Sequence, residues 1–238
     1  NVRAASAAYD TPLAQSNTYQ STKTISAAVA GDTALLKSKT YYSISDSGGN
    51  ARQPGEEYID YMENFKIDGV AKYYNSVYFY GVSKTRAAAV SVDQYDALTM
   101  SVNFLESTVD PATITSSNYN TYKLRNVTYY QGARQEEKVW YQAAYNTGGA
   151  NPGQNIRKTT VYFYGSNEDK ASVTSLNPNT AMWSSVTFDG DKSLDIKSNN
   201  VNASTYTTNR RSKTFYTGSS AGEEIADYEW IYTKDNGV

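Results

Sequence analysis

The segment Val77-Tyr78-Phe79-Tyr80-Gly81 returns 84 residues later as Val161-Tyr162-Phe163-Tyr164-Gly165. The register holds without a gap to Phe104 and Phe188, and 11 of the 28 aligned positions are identical, where composition alone would give roughly two. A chain that carries the same segment twice must use one local structure twice. This stretch is the B unit.

A second element, the A unit, occurs three times. It opens with Ser38-Lys39-Thr40-Tyr41-Tyr42-Ser43, Val127-Thr128-Tyr129-Tyr130-Gln131 and Ser212-Lys213-Thr214-Phe215-Tyr216-Thr217. It closes with Gly55-Glu56-Glu57-Tyr58-Ile59-Asp60-Tyr61, Glu136-Glu137-Lys138-Val139-Trp140-Tyr141 and Gly222-Glu223-Glu224-Ile225-Ala226-Asp227-Tyr228. The order along the chain is A, B, A, B, A. A period near 84 exceeds the 20 to 50 residues of solenoids and propellers. The expected fold is therefore all-β, an antiparallel β-sandwich, Ig-like or jelly-roll-like, arranged as two internally duplicated units. The expected boundaries are an N-terminal arm at 1–30, a first sandwich repeat at 31–116 and a second at 117–238 with an additional hairpin at 203–238. One A unit is left without a B unit, and its apolar strand edge must pack on the other repeats, complete a shared sheet or dock on another molecule.

Period-two alternation assigns the faces. In the closing A strands the expected core face carries Glu57, Ile59, Tyr61 and Phe65, then Val139, Tyr141, Ala143 and Tyr145, then Ala226, Tyr228, Trp230 and Tyr232. The opposite face, with Glu56, Tyr58 and Asp60, or Glu136, Lys138 and Trp140, or Glu223, Ile225 and Asp227, is expected to be mostly wet. In the B unit Val77, Phe79, Leu98, Val102 and Phe104, with Val161, Phe163, Met182, Val186 and Phe188, are expected inside. That leaves Tyr78, Tyr80, Tyr162 and Tyr164 on the other side as candidate ligand-binding residues. A short helix is allowed at Asp93–Ala97, and no long amphipathic helix is visible.

Composition narrows the chemistry. The 238 residues include no cysteine and no histidine, which removes disulfides, thiolate metal sites and the commonest general base. A net charge of -2 with scattered Lys and Arg offers no field to gather nucleic acid or anionic lipid. No apolar run is long enough for a membrane helix, and residues 1–8 are too polar for a signal-peptide core. The 23 tyrosines against six phenylalanines suit pleated surfaces, where a ring is buried while its hydroxyl stays wet.

Adjacent strand residues face opposite ways, so neither Glu56 with Glu57 nor Glu223 with Glu224 makes a carboxylate dyad across one bond. These doublets are expected to protect strand edges or solvate the surface. Asp189, Asp191 and Asp195 have spacings a calcium loop uses, but the EF-hand pattern is incomplete and an Asp-Gly hairpin turn is the simpler expectation. No catalytic residue, cofactor or metal is assigned.

These readings favour a non-enzymatic secreted or cell-surface protein, structural or adhesive, that self-associates through β-strands or meets a cell-envelope partner. The alternatives are a carbohydrate-binding module using exposed tyrosines, and a secreted toxin or bacteriocin-like β-pore former.

Overall fold

The computed structural model describes residues 11–19, 36–46, 48–88, 92–106, 108–173, 176–198, 201, 203 and 206–233. The expected N-terminal arm lies outside the described residues except for 11–19. The chain divides into two compact units, residues 1–96 with 100–124 and residues 97–99 with 125–238. The structure is all-β with antiparallel pairing.

In the first unit the strands are β1 (Gln15–Tyr19), β2 (Leu36–Ser43), β3 (Tyr58–Phe65), β4 (Lys72–Tyr80), β5 (Thr85–Arg86) and the greater part of β6 (Leu98–Phe104). Their order in the sheet is β1-β2-β3-β4-β6, with β5 folded back on the end of β4. The described part of the N-terminal region thus pairs within its own unit, Gln15 opposite Tyr41 and Ser16 opposite Thr40.

The second unit contains β7 (Leu124–Gln131), β8 (Lys138–Tyr145), β9 (Ile156–Tyr164), β10 (Asp169–Lys170), β11 (Met182–Asp189), α1 (Ser193–Lys197), β12 (Arg210–Thr217) and β13 (Ile225–Ile231). The sheet order is β7-β8-β9-β11-β12-β13, with β10 on β9.

The three A segments form the hairpins β2-β3, β7-β8 and β12-β13, and each has its register shift at the matching place: Tyr41/Tyr42, Tyr129/Tyr130 and Phe215/Tyr216. Beside each shift two rings stack. Tyr41 on Tyr61, Tyr129 on Tyr141 and Phe215 on Tyr228 have centroids 4.3, 4.4 and 4.6 Å apart. The shift leaves one extra residue on the closing strand, Asp60, Trp140 or Asp227, and a bulge of this kind locally breaks alternation.

Val77, Phe79, Val102 and Phe104 are buried, as are Val161, Phe163, Val186 and Phe188. Leu98 and Met182 are half-buried. In the second unit these side chains pack with Tyr141, Ile196, Val201 and Ala203. From the connection between β11 and β12, Ile196 of α1, with Val201 and Ala203, therefore lies on the apolar face where a sandwich would place a second sheet. The first unit uses its own connection in the same way: Tyr119 tilts against Phe79, and Tyr122 meets Phe104 edge-on. Burying each phenylalanine contributes about 1.5–3 kcal/mol.

Four expectations change. Ala226, Tyr228 and Trp230, expected in the core, are exposed, because no described strand pairs with β13 on its other side. Tyr58, Asp60 and Lys138 are buried rather than wet, because the bulge takes Asp60 out of alternation and the turns before β6 and β11 cover the strand starts. Asp93–Ala97 forms a turn, not a helix. The segment after Asp189-Gly190 leads into the short helix α1, where the Asp191 carboxylate accepts from Ser193 N–H at 2.8 Å.

Candidate interaction surface

The four candidate tyrosines do not share one environment. Tyr80 and Tyr164 end β4 and β9 and are buried. Their hydroxyls donate to the carbonyls of Ile59 (2.7 Å) and Val139 (2.8 Å) on the neighbouring strand. The edge of Tyr58 packs on Tyr80, and the Lys138 ammonium lies 4.8 Å from the Tyr164 ring centre. Tyr78 and Tyr162 are half-buried. Burial raises the Tyr162 hydroxyl to about 12, with smaller contributions from Tyr216 and Tyr130. Ser185 lies opposite Tyr162 in the β9-β11 register, and its hydroxyl is 3.1 Å from that of Tyr216. Tyr130, Tyr162 and Tyr216 thus form a tyrosine strip on the second unit's sheet.

Carboxylates have been used structurally. The second glutamate of each A segment ties its hairpin to the start of the preceding strand or, for Glu57, to the residue two positions before it. Leu13 N–H donates to Glu57 (2.6 Å), Leu98 N–H to Glu137 (2.9 Å) and Met182 N–H to Glu224 (2.8 Å). Burial pushes the Glu224 carboxyl up, but the backbone donors and the Lys138 charge outweigh it, leaving it below the usual range. Sequence reasoning saw the recurrence of Glu-Glu but missed this role; its signal was the doublet's fixed place at the head of each closing strand. The calcium candidates are dispersed: Asp189 pairs with Arg211, Asp191 accepts from the Ser193 N–H at the start of α1 and Asp195 accepts from the Tyr206 hydroxyl at 2.6 Å. Among the described residues no three acidic side chains gather as a metal site.

A cleft of about 380 Å³ in the first unit is lined by Asp60, Lys84, Thr85, Arg86, Ala112 and Ile114. Its charged floor is already occupied. Arg86 donates to both Asp60 oxygens at 2.8 and 2.6 Å, to Ile114 O at 3.0 Å and to Pro111 O. The arrangement is a buried ion pair that fastens the connecting segment to the sheet.

The open feature is β13. Among the described residues it pairs with β12 alone. Ile225, Tyr228, Trp230 and Ile231 are 70, 48, 46 and 71% exposed. At the position matching Tyr228, Tyr61 is half-buried and Tyr141 is fully buried, and each has a strand paired alongside it, β4 or β9. Trp230 also contacts the Phe215 ring at 4.7 Å, so the hairpin's own packing holds this aromatic edge in place.

No known protein family, curated protein or solved structure matches the chain. No helix among the described residues is long and apolar enough to cross a membrane. Chemically, β13 offers backbone N–H and C=O groups in a row with apolar side chains on both faces, which is a template for strand pairing.

Proposed function

We propose that this chain is a non-enzymatic extracellular or cell-surface protein, structural or adhesive, that associates through a sheet edge. The reading rests on β13, whose Ile225, Tyr228, Trp230 and Ile231 are exposed on an edge strand. Natural edges are ordinarily blunted by charge, proline or a covering segment. Here Asp227 and Glu229 are interleaved with four large apolar residues, so the edge suits pairing. In this reading the two units are internal duplicates of one sandwich-like plan, and the third A hairpin is the element that faces a partner.

Light scattering over a range of protein concentrations tests it. The expected result is a mass that rises with concentration, and Ile225→Lys with Ile231→Lys, both largely exposed, should return the protein to monomer with its β-sheet circular dichroism retained. A wild-type chain that stays monomeric at high concentration would sink the self-associating reading.

A second reading, binding of glycans, is favoured by the half-buried strip of Tyr130, Tyr162 and Tyr216. Tyrosine rings presented on a sheet stack on sugar rings and hydrogen-bond through their hydroxyls. A glycan array should give a signal that Tyr162→Ala removes; a blank array excludes this reading.

A further inference from the structure

We infer that the edge of β13 left unpaired among the described residues is shaped to receive a β-hairpin of the β4-β5 type, one that carries an arginine to meet Asp227. The inference rests on the strand-pairing reading above and names the partner's chemistry.

Three observations carry it. The closing strands β3 and β8 hold β4 and β9 in the same register, Tyr61 opposite Val77 and Tyr141 opposite Val161. The matching residue on β13 is Tyr228, stacked on Phe215 just as Tyr61 stacks on Tyr41. An incoming strand would therefore find a prebuilt aromatic neighbour. Second, the incoming strand's final tyrosine has a defined acceptor. Tyr80 donates to Ile59 O and Tyr164 to Val139 O, and Ala226 occupies the same place, opposite Tyr216 across the register shift.

The third observation discriminates between the two hairpins. The bulge residue of the first A hairpin is Asp60, gripped by Arg86 of β5. In the second hairpin it is Trp140, and the residue matching Arg86 is Lys170, which donates to Val201 O at 3.0 Å instead. Aspartate thus goes with arginine, and tryptophan with lysine. The third hairpin has Asp227 at this position, and Asp227 is exposed. It calls for the arginine-bearing hairpin, whose planar fork meets a carboxylate through two parallel hydrogen bonds that an ammonium cannot copy.

The test uses the whole protein and two labelled peptides, residues 72–88 (with Arg86) and residues 156–172 (with Lys170), followed by fluorescence anisotropy. The 72–88 peptide should bind about tenfold tighter than the 156–172 peptide. Asp227→Asn should erase that difference, and Ile225→Lys should abolish binding of both. Equal affinities, or a preference that survives Asp227→Asn, overturns the inference. Because a short hairpin binds only after ordering, the 72–88 segment is also joined behind the C-terminus through a flexible Gly/Ser linker. It should then slow hydrogen exchange of the β13 amides; failure in both formats also overturns the inference. Self-association without hairpin binding would refute this partner while leaving the edge-assembly reading intact. Hairpin binding by a strictly monomeric chain would do the reverse.

Discussion

Arg86 holds both oxygens of Asp60, at 2.8 and 2.6 Å, where each side chain is only 9% exposed. The guanidinium also donates to the carbonyls of Pro111 and Ile114, so one side chain joins β3, β5 and the segment covering the first unit's core. Removing one partner strands the other charge away from water. Asp60→Ala should destabilise the first unit by about 3–5 kcal/mol. Replacing both, Asp60→Leu with Arg86→Met, should cost clearly less than the single change, as read by urea denaturation. A double variant as weak as Asp60→Ala would show that the pair's charges are not what matters there.

The equivalent tyrosines Tyr141 and Tyr228 make a controlled comparison. Both stack on the opening strand of their hairpin, but Tyr141 is fully buried and Tyr228 is 48% exposed. Truncating a buried large aromatic costs about 3–5 kcal/mol, whereas a largely exposed one costs well under half of that. Tyr141→Ala should therefore lower the melting temperature strongly and Tyr228→Ala only slightly. Similar losses for the two variants in dilute, monomeric protein would mean that β13 is already covered.

The contrast shows how far the sequence could be read. Alternation identified Val77, Phe79, Val161 and Phe163 as core, because an uninterrupted strand keeps its faces. It misplaced Tyr58, Asp60 and Lys138, since one extra residue in a bulge takes Asp60 out of alternation and distant turns cover Tyr58 and Lys138, neither of which leaves a mark in composition. The candidate tyrosines divided for a related reason. Tyr78 and Tyr162 sit mid-strand, whereas Tyr80 and Tyr164 sit at strand ends where their hydroxyls reach a neighbouring carbonyl. Tyr228 and Trp230 follow the same pattern as Tyr141 and Ala143. Whether such a face is buried depends on the strand alongside, which the segment's own sequence does not encode.

Gly132 tests the turn of the second hairpin. Its φ of 122° lies where side chains are strained, and an added Cβ would come 2.7 Å from Glu136 O, a backbone atom that cannot swing aside. Gly218 repeats the arrangement, with Glu223 O at 2.9 Å. Each backbone strain of this kind costs on the order of 1–3 kcal/mol. Gly132→Ala should destabilise the protein by about that amount, while Gly149→Ala, also at positive φ but with nothing near its Cβ, should cost less. Thermal melts of the two variants separate the steric contribution from the conformational one.

Alkaline titration addresses the tyrosine strip. Burial, followed by the neighbouring Tyr216 and Tyr130, raises Tyr162 from its ordinary 10.0 to about 12. Tyr164 is also raised, first by burial. A hydroxyl whose folded-state value is raised stabilises the fold in its neutral form. That stabilisation is complete below pH 10 and is lost as pH climbs toward 12, because the unfolded chain releases the proton first. Tyrosinate absorbance at alkaline pH should show a late-ionising set that includes Tyr162 and Tyr164 and that ionises together with loss of β-sheet circular dichroism. Tyr162→Phe should weaken the alkaline decline, since phenylalanine has no proton to lose. Were Tyr162 to ionise near 10.0 while the sheet stayed intact, its hydroxyl would have to be open to water and the strip loosely packed.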